Sequence, residues 1–97
     1  MTERLIIIGS GPAGYVGAVR AAKHGMKTVI IEKEANLGGT CLNWGCIPTK
    51  TLLKTAKVIH TIQDVEKFGV HVGGEMSFDF GKITQRKEKV VKRIVKG

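Results

Sequence analysis

The hexapeptide Gly9-Ser10-Gly11-Pro12-Ala13-Gly14 limits what this chain can fold into more than any other stretch, because of what stands on either side of it. Before it, Arg4-Leu5-Ile6-Ile7-Ile8 is a continuous aliphatic run, the pattern of a strand buried on both faces of a parallel sheet. After it, a helical pattern runs from Pro12 to His24. Ala13, Val16, Gly17, Ala18, Ala21 and Ala22 fall on one side at helical spacing, Arg20 and Lys23 off it, and Gly25 stands where a helix end wants a left-handed residue. Thr28 to Glu32 reads as a second buried strand. Strand, helix and strand within about 30 residues make a βαβ unit.

Residues 33–44 hold no clear period and include Asn36, Gly38, Gly39 and Asn43, which predicts a loop. A helix is expected from about Cys46 to Lys67, with Pro48 tolerated in its first turn and Leu52, Leu53, Ala56, Ile59 and Ile62 in an apolar stripe that ends near Gly69. A short extended segment, Val70–Val72, leads to Gly73-Gly74, and Asp79 is placed to cap a last helix from Phe80 to Lys96. The 97 residues fit one domain at most. Two predicted strands fall short of what a stable doubly wound sheet needs. The expected fold class is therefore α/β, a partial Rossmann-like unit with an incomplete parallel sheet, followed by helices.

The glycines carry distinct physical duties. Gly9 permits the tight turn, Gly11 lets a pyrophosphate approach the backbone, and Gly14 lets the helix pack closely on the strands. The unpaired amides of the helix start, with its dipole, receive negative charge there, so Gly9, Gly11, Pro12, Ala13 and Gly14 are candidate cofactor-binding residues. Glu32 closes the second strand 18 residues after Gly14, where a dinucleotide's adenosine ribose lies. A carboxylate there favours an unphosphorylated ribose, so FAD or NAD fits and NADP does not. The plainer alternative is that the glycines only shape a turn and Glu32 only solvates a strand end.

The net charge of +8 raises the question of a nucleic-acid or membrane partner. Its distribution answers otherwise. Residues 1–81 carry +2, whereas residues 82–97 carry +6 from Lys82, Arg86, Lys87, Lys89, Lys92, Arg93 and Lys96 against Glu88. The same tail holds Phe80, Ile83, Val90, Val91, Ile94 and Val95 as an apolar side, so a solvated amphipathic helix is expected, with neither nucleic acid nor membrane as partner. Only five residues are aromatic, which leaves little for stacking on bases. The Leu5–Ile8 run is too short for a signal-peptide core and no stretch approaches a bilayer span, so the cytoplasm is the default location.

In that compartment Cys41 and Cys46, five positions apart, argue against a structural staple and for a catalytic, redox-sensing or metal-binding role. Residues five apart in a regular helix have Cα atoms roughly 8.7 Å apart, while a disulfide wants less than about 7 Å. If the two sulfurs bond, the chain between them departs from a helix, and Gly45 and Pro48 allow that. Cys46 near a helix start meets the positive end of the dipole, which favours thiolate. A metal wants four ligands, and His24, His60 and His71 are scattered; two inert thiols are the remaining alternative.

Gly38-Gly39-Thr40-Cys41-Leu42-Asn43-Trp44-Gly45-Cys46-Ile47-Pro48-Thr49-Lys50 resembles the redox segment of the pyridine nucleotide–disulfide oxidoreductases, and its Leu42-Asn43 and Ile47-Pro48 choices are most similar to the dihydrolipoamide dehydrogenase branch. The glycine fingerprint and Glu32 stand at the distance that family uses. The likeness is close over residues 4 to about 56 and looser beyond.

It implies that FAD is the cofactor, that Cys41 is the thiol exchanging with a dithiol or disulfide substrate such as lipoamide, and that Cys46 faces the flavin. It further implies that Lys50 lies beside the flavin ring, Glu32 and Lys33 near the adenosine ribose, and Gly39 and Thr40 near the pyrophosphate. Trp44 departs from the small aliphatic residue of the family pattern, and Thr49 from a common serine. Family members also carry an NAD-binding domain and an interface domain whose histidine serves the partner subunit, so a homodimeric parent is implied and residues 1–97 are expected to be a fragment that binds FAD weakly, if at all, and does not turn over. Mercuric or low-molecular-weight disulfide reductases of the same family, and a non-catalytic nucleotide-binding fragment, are the alternative functions.

Overall fold

A computed structural model describes residues 3–97. β1 (Arg4–Ile8) and β2 (Lys27–Ile31) pair in parallel, Arg4 opposite Lys27 through Ile8 opposite Ile31, and α1 (Pro12–Lys23) crosses between them. The expected βαβ unit is therefore present. β2 begins one residue early, because the Lys27 amide already donates to the Glu3 carbonyl at 3.1 Å, and Glu32 lies just past the strand end. Gly25 adopts φ +84°, and His24, Gly25 and Met26 donate to carbonyls of the last helical turn, which closes α1.

The packing side of α1 is narrower than its sequence pattern. Ala18 and Ala21 are buried, with Gly14 and Gly17 set over Ile7, while Ala13, Val16 and Ala22 face outward. Residues 14, 17, 18 and 21 follow the i, i+3, i+4, i+7 rule, and the others lie a step around the helix. The strands also differ from expectation. They are covered on one face only, with Ile6 64% and Ile8 84% exposed on the other. The reason is architectural: a single crossover helix supplies a single covering layer, while the aliphatic run records that both faces suit burial.

α2 (Gly39–Asn43) interrupts the segment expected to be loop. Its turn is held by Asn43, whose amide nitrogen donates to the carbonyls of Leu37 and Gly39 at 3.2 and 2.9 Å. So short an element leaves no period to read. α3 (Cys46–Asp64) starts where expected and tightens into a 3-10 turn over Val65–Phe68, which Gly69 closes at φ +75°. Val70–Val72 is not a strand, because among the described residues no neighbouring strand offers it a ladder. The Asp79 carboxylate accepts from the Lys82 amide at 3.2 Å and starts α4 (Phe80–Lys96).

α4 packs on α3, and α2 leans on both. Ile83, Val90, Val91 and Val95 are half-buried, while Lys82, Arg86, Lys89, Arg93 and Lys96 are exposed on the opposite side of the helix. The α3–α4 pair stretches the molecule to 66 × 26 × 15 Å. Among the described residues no helix is long and apolar enough to cross a membrane.

Candidate functional site

The glycine turn is built by close approach. Gly9 leaves β1 at φ +99° while its amide donates to the Ile31 carbonyl at 2.8 Å, so the turn begins inside the sheet ladder. A Cβ on Gly14 would lie 2.0 Å from the Gly9 carbonyl oxygen, so only glycine lets the first turn of α1 press on the loop before it. Gly11 is the reverse case. A Cβ there would meet nothing within 4 Å, and residues 7–9 and 11–14 line an open hollow of about 470 Å³. The Tyr15 amide donates to the Gly11 carbonyl, whereas those of Ala13 and Gly14 precede any acceptor in the helix. An open floor, unblocked amides and the positive end of a helix suit a diphosphate.

Ser10, between the first two glycines, is fully buried. Its hydroxyl donates to Glu32 Oε1, and its amide donates to the same oxygen at 3.1 Å. The Glu34 amide donates to Glu32 Oε2 at 3.1 Å. The Ser10 hydroxyl, with these two amides, holds the Glu32 carboxyl down to about 2 from its ordinary 4.5. Oε1 thus has two donors and Oε2 one, which leaves an acceptor position on Oε2 for a ribose hydroxyl. From the other side, the Gly38 amide donates to both Ser10 Oγ and the Ser10 carbonyl, each at 3.1 Å.

Gly38, at φ +113°, turns the chain into α2, and a Cβ on Gly39 would come within 2.6 Å of Gly11 Cα. The segment that carries the two cysteines is therefore seated directly on the glycine turn. α2 ends at Trp44, whose amide donates to the Thr40 carbonyl at 2.8 Å. Gly45, at φ −119° and ψ −107°, breaks the helix, and α3 restarts at Cys46. A Cβ on Gly45 would lie 3.1 Å from the Thr40 carbonyl oxygen and 3.3 Å from Cys41 Cα. This break satisfies the departure from helix that the five-residue spacing demands.

Cys41 is half-buried and Cys46 exposed, both as free thiols. The neighbouring Cys46 side chain, then desolvation and the charge of that sulfur, push the Cys41 thiol up, while the Cys46 backbone amide and Lys50 pull it partly back. Lys50, one turn along α3 from Cys46, is thus close enough for its charge to be felt at the pair.

A family model for pyridine nucleotide-disulphide oxidoreductases matches residues 3–97. The chain belongs to this family. It is 53% identical over 93 residues to a dihydrolipoyl dehydrogenase of Acholeplasma laidlawii, covering 96% of this chain and 27% of that protein. It is 47% identical over 97 residues to one of Mycoplasma pneumoniae, covering 100% and 21%. Among solved structures, it matches the Cu(II) complex of a mutant of the HOCl-induced flavoprotein disulfide reductase RclA of Escherichia coli with a TM-score of 0.72 and 36% identity. That match covers 99% of this chain and 18% of the other. The chain thus spans about a fifth to a quarter of the length of the curated relatives it matches.

Within this family member, Gly9, Gly11, Pro12, Ala13, Gly14, Glu32 and Gly39 are brought together around the turn, and Cys41, Cys46 and Lys50 around the thiols. Thr40, exposed at the start of α2, follows Gly39 onto the turn. Lys33 is exposed beside Glu32, its backbone amide adds the smallest of the influences that lower the Glu32 carboxyl, and its side chain joins no ion pair among the described residues. Trp44 is 62% exposed and lines a hollow of about 310 Å³ with Lys87, Glu88 and Val91 of α4. Sequence reasoning missed Ser10, Gly38 and Asn43. A hydroxyl residue between two fingerprint glycines, with an acid at the facing strand end, is the signal that points to Ser10.

Proposed function

We propose that the chain carries the FAD-diphosphate cradle and the redox dithiol of a dihydrolipoamide dehydrogenase-type oxidoreductase. The observation that carries this reading is the seating of the Cys41–Cys46 segment on the glycine turn through Gly39 and Gly11. The identity to dihydrolipoyl dehydrogenases supports the substrate class.

Gly11, Ala13 and Gly14 receive the diphosphate, with Pro12 setting the helix start, and Glu32 Oε2 accepts from an unphosphorylated ribose, beside Lys33. Gly39 and Thr40 border the diphosphate from the α2 side. Bound there, FAD would supply an electron-pair acceptor for the reduced thiols, with NAD as the further acceptor in the whole enzyme.

The thiol chemistry belongs to the chain itself. With the pair oxidised, one thiolate of a dihydrolipoamide-type dithiol attacks Cys41 Sγ. The Cys41–Cys46 bond breaks and Cys46 departs as thiolate, at the start of α3 where the helix end favours negative charge. The second substrate thiolate attacks the substrate sulfur of the mixed disulfide, releasing Cys41, which takes a proton in keeping with its raised pKa. The substrate leaves as a disulfide and the pair holds its two electrons.

A titration of the 97-residue chain with FAD, followed by amide NMR, tests the cradle. The reading expects weak binding with shifts confined to residues 9–14, 32–34 and 38–40. Shifts confined to α4 would overturn it. Isolation of the chain as a stoichiometric flavoprotein that reduces lipoamide with NADH would instead overturn the expectation of weak binding and no turnover.

A further inference from the structure

Ser10 joins three parts of the molecule that lie far apart in sequence. Its single hydroxyl proton goes to Glu32, 22 residues away, and its oxygen accepts from Gly38, 28 residues away, whose amide is shared between this oxygen and the Ser10 carbonyl. It has no exposed surface, so no water replaces a lost partner. Gly38 then opens α2, Gly39 rests on Gly11, and Cys41 follows two residues later.

We propose that Ser10 is a positioning residue that couples the strand-end acceptor Glu32 to the redox segment, its buried hydroxyl fixing where Gly38, and through α2 Cys41, stands against the glycine turn. The inference rests on the reading of Cys41 and Cys46 as a redox pair. Among the described residues no hydrogen bond joins Glu32 to Gly38 directly; the hydroxyl is the group bonded to both. A change at either end therefore alters the bond at the other, since a hydroxyl that donates to a carboxylate is polarised as an acceptor. The depressed Glu32 carboxyl agrees with a strong bond at that end.

The test uses the full chain and two variants, with hydrogen exchange at the Gly38 amide and the thiol–disulfide equilibrium against glutathione as readouts. Ser10→Ala is expected to speed Gly38 exchange about fivefold and to shift the Cys41–Cys46 equilibrium constant by about twofold or more. Glu32→Gln, which leaves the serine in place, is expected to speed Gly38 exchange about twofold, and the double variant to be non-additive.

Gly38 exchange unchanged in Glu32→Gln would overturn the coupling even if Ser10→Ala fails to fold. An unmoved thiol equilibrium in a folded Ser10→Ala chain would reduce Ser10 to a local cap of Glu32 and overturn the positioning role. Failure of the unmodified chain to form its disulfide strikes instead at the redox reading, and the exchange measurement, which needs no disulfide, still decides the coupling.

Discussion

The segment around the glycine turn and the α3–α4 pair are held together in different ways. In the first, backbone meets backbone: Gly14 against the Gly9 carbonyl, Gly39 against Gly11 Cα, Gly45 against the Thr40 carbonyl. Its buried polar hub, Ser10, bonds across 22 and 28 residues. In the second, two long helices lie against each other, with Thr51, Thr55 and Ile59 of α3 covered while Leu52, Leu53 and Ile62 of its expected apolar stripe stay exposed. Side-chain hydrogen bonds there are few beyond those of Thr51, Thr61 and Thr84 to their own helices and the Asp79 cap. Where backbones touch, one added methyl group changes the shape of the turn and the placement of the two sulfurs seated on it. Where side chains pack along a stripe, the same change has room to be absorbed.

The largest effect that separates the two is expected from Gly14→Ala. Its Cβ would strike a backbone oxygen, so folding stability should fall by ~3 kcal/mol. Gly73→Ala, where a Cβ meets nothing, should stay within about 0.5 kcal/mol. Urea midpoints of the pair measure both, and equal midpoints would erase the contrast.

Acid sharpens the same comparison. The folded pKa of Glu32 lies below its ordinary value, so the stability it contributes is present above pH 4.5 and is lost as the pH falls from about 4.5 towards about 2. Denaturation of the chain at pH 6 and pH 3, alongside Glu32→Gln, reads this out. The acid loss should be smaller in the variant, and loss of equal size in both would place the acid sensitivity elsewhere.

Asp79→Ala removes one bond to an exposed helix start, at a cost of about 1 kcal/mol. Its effect should be confined to hydrogen exchange in α4, with the Gly38 amide unchanged. Smaller still is Cys46→Ala. It removes the largest influence that raises the Cys41 thiol, so Cys41 alkylation at pH 8 should quicken by roughly threefold with little change in stability.

The two regions were also unequally legible. The turn at Gly9 and the close packing at Gly14 follow from a local rule and were readable from the strand and helix around them, as were the start of α3 at Cys46 and the cap at Asp79. Ser10 was not, because its role depends on Gly38, whose place is set only when the chain returns to the turn. α2 escaped because a turn held by Asn43 has no period. The aliphatic strands signalled burial on both faces, yet a sequence pattern records what a face suits rather than what covers it, and Ile6 and Ile8 stand uncovered. For the cysteines, spacing gave the break in the helix. The raised Cys41 thiol required knowing that the sulfurs meet.

The most direct measurement is the mass of the tryptic peptide spanning residues 34–50, which holds both cysteines, after the reduced chain is equilibrated with oxidised glutathione. A dithiol seated on the glycine turn for electron exchange should give that peptide two hydrogens lighter, as an internal bridge between Cys41 and Cys46. Glutathione attached separately to each cysteine, with no bridge formed, would contradict it.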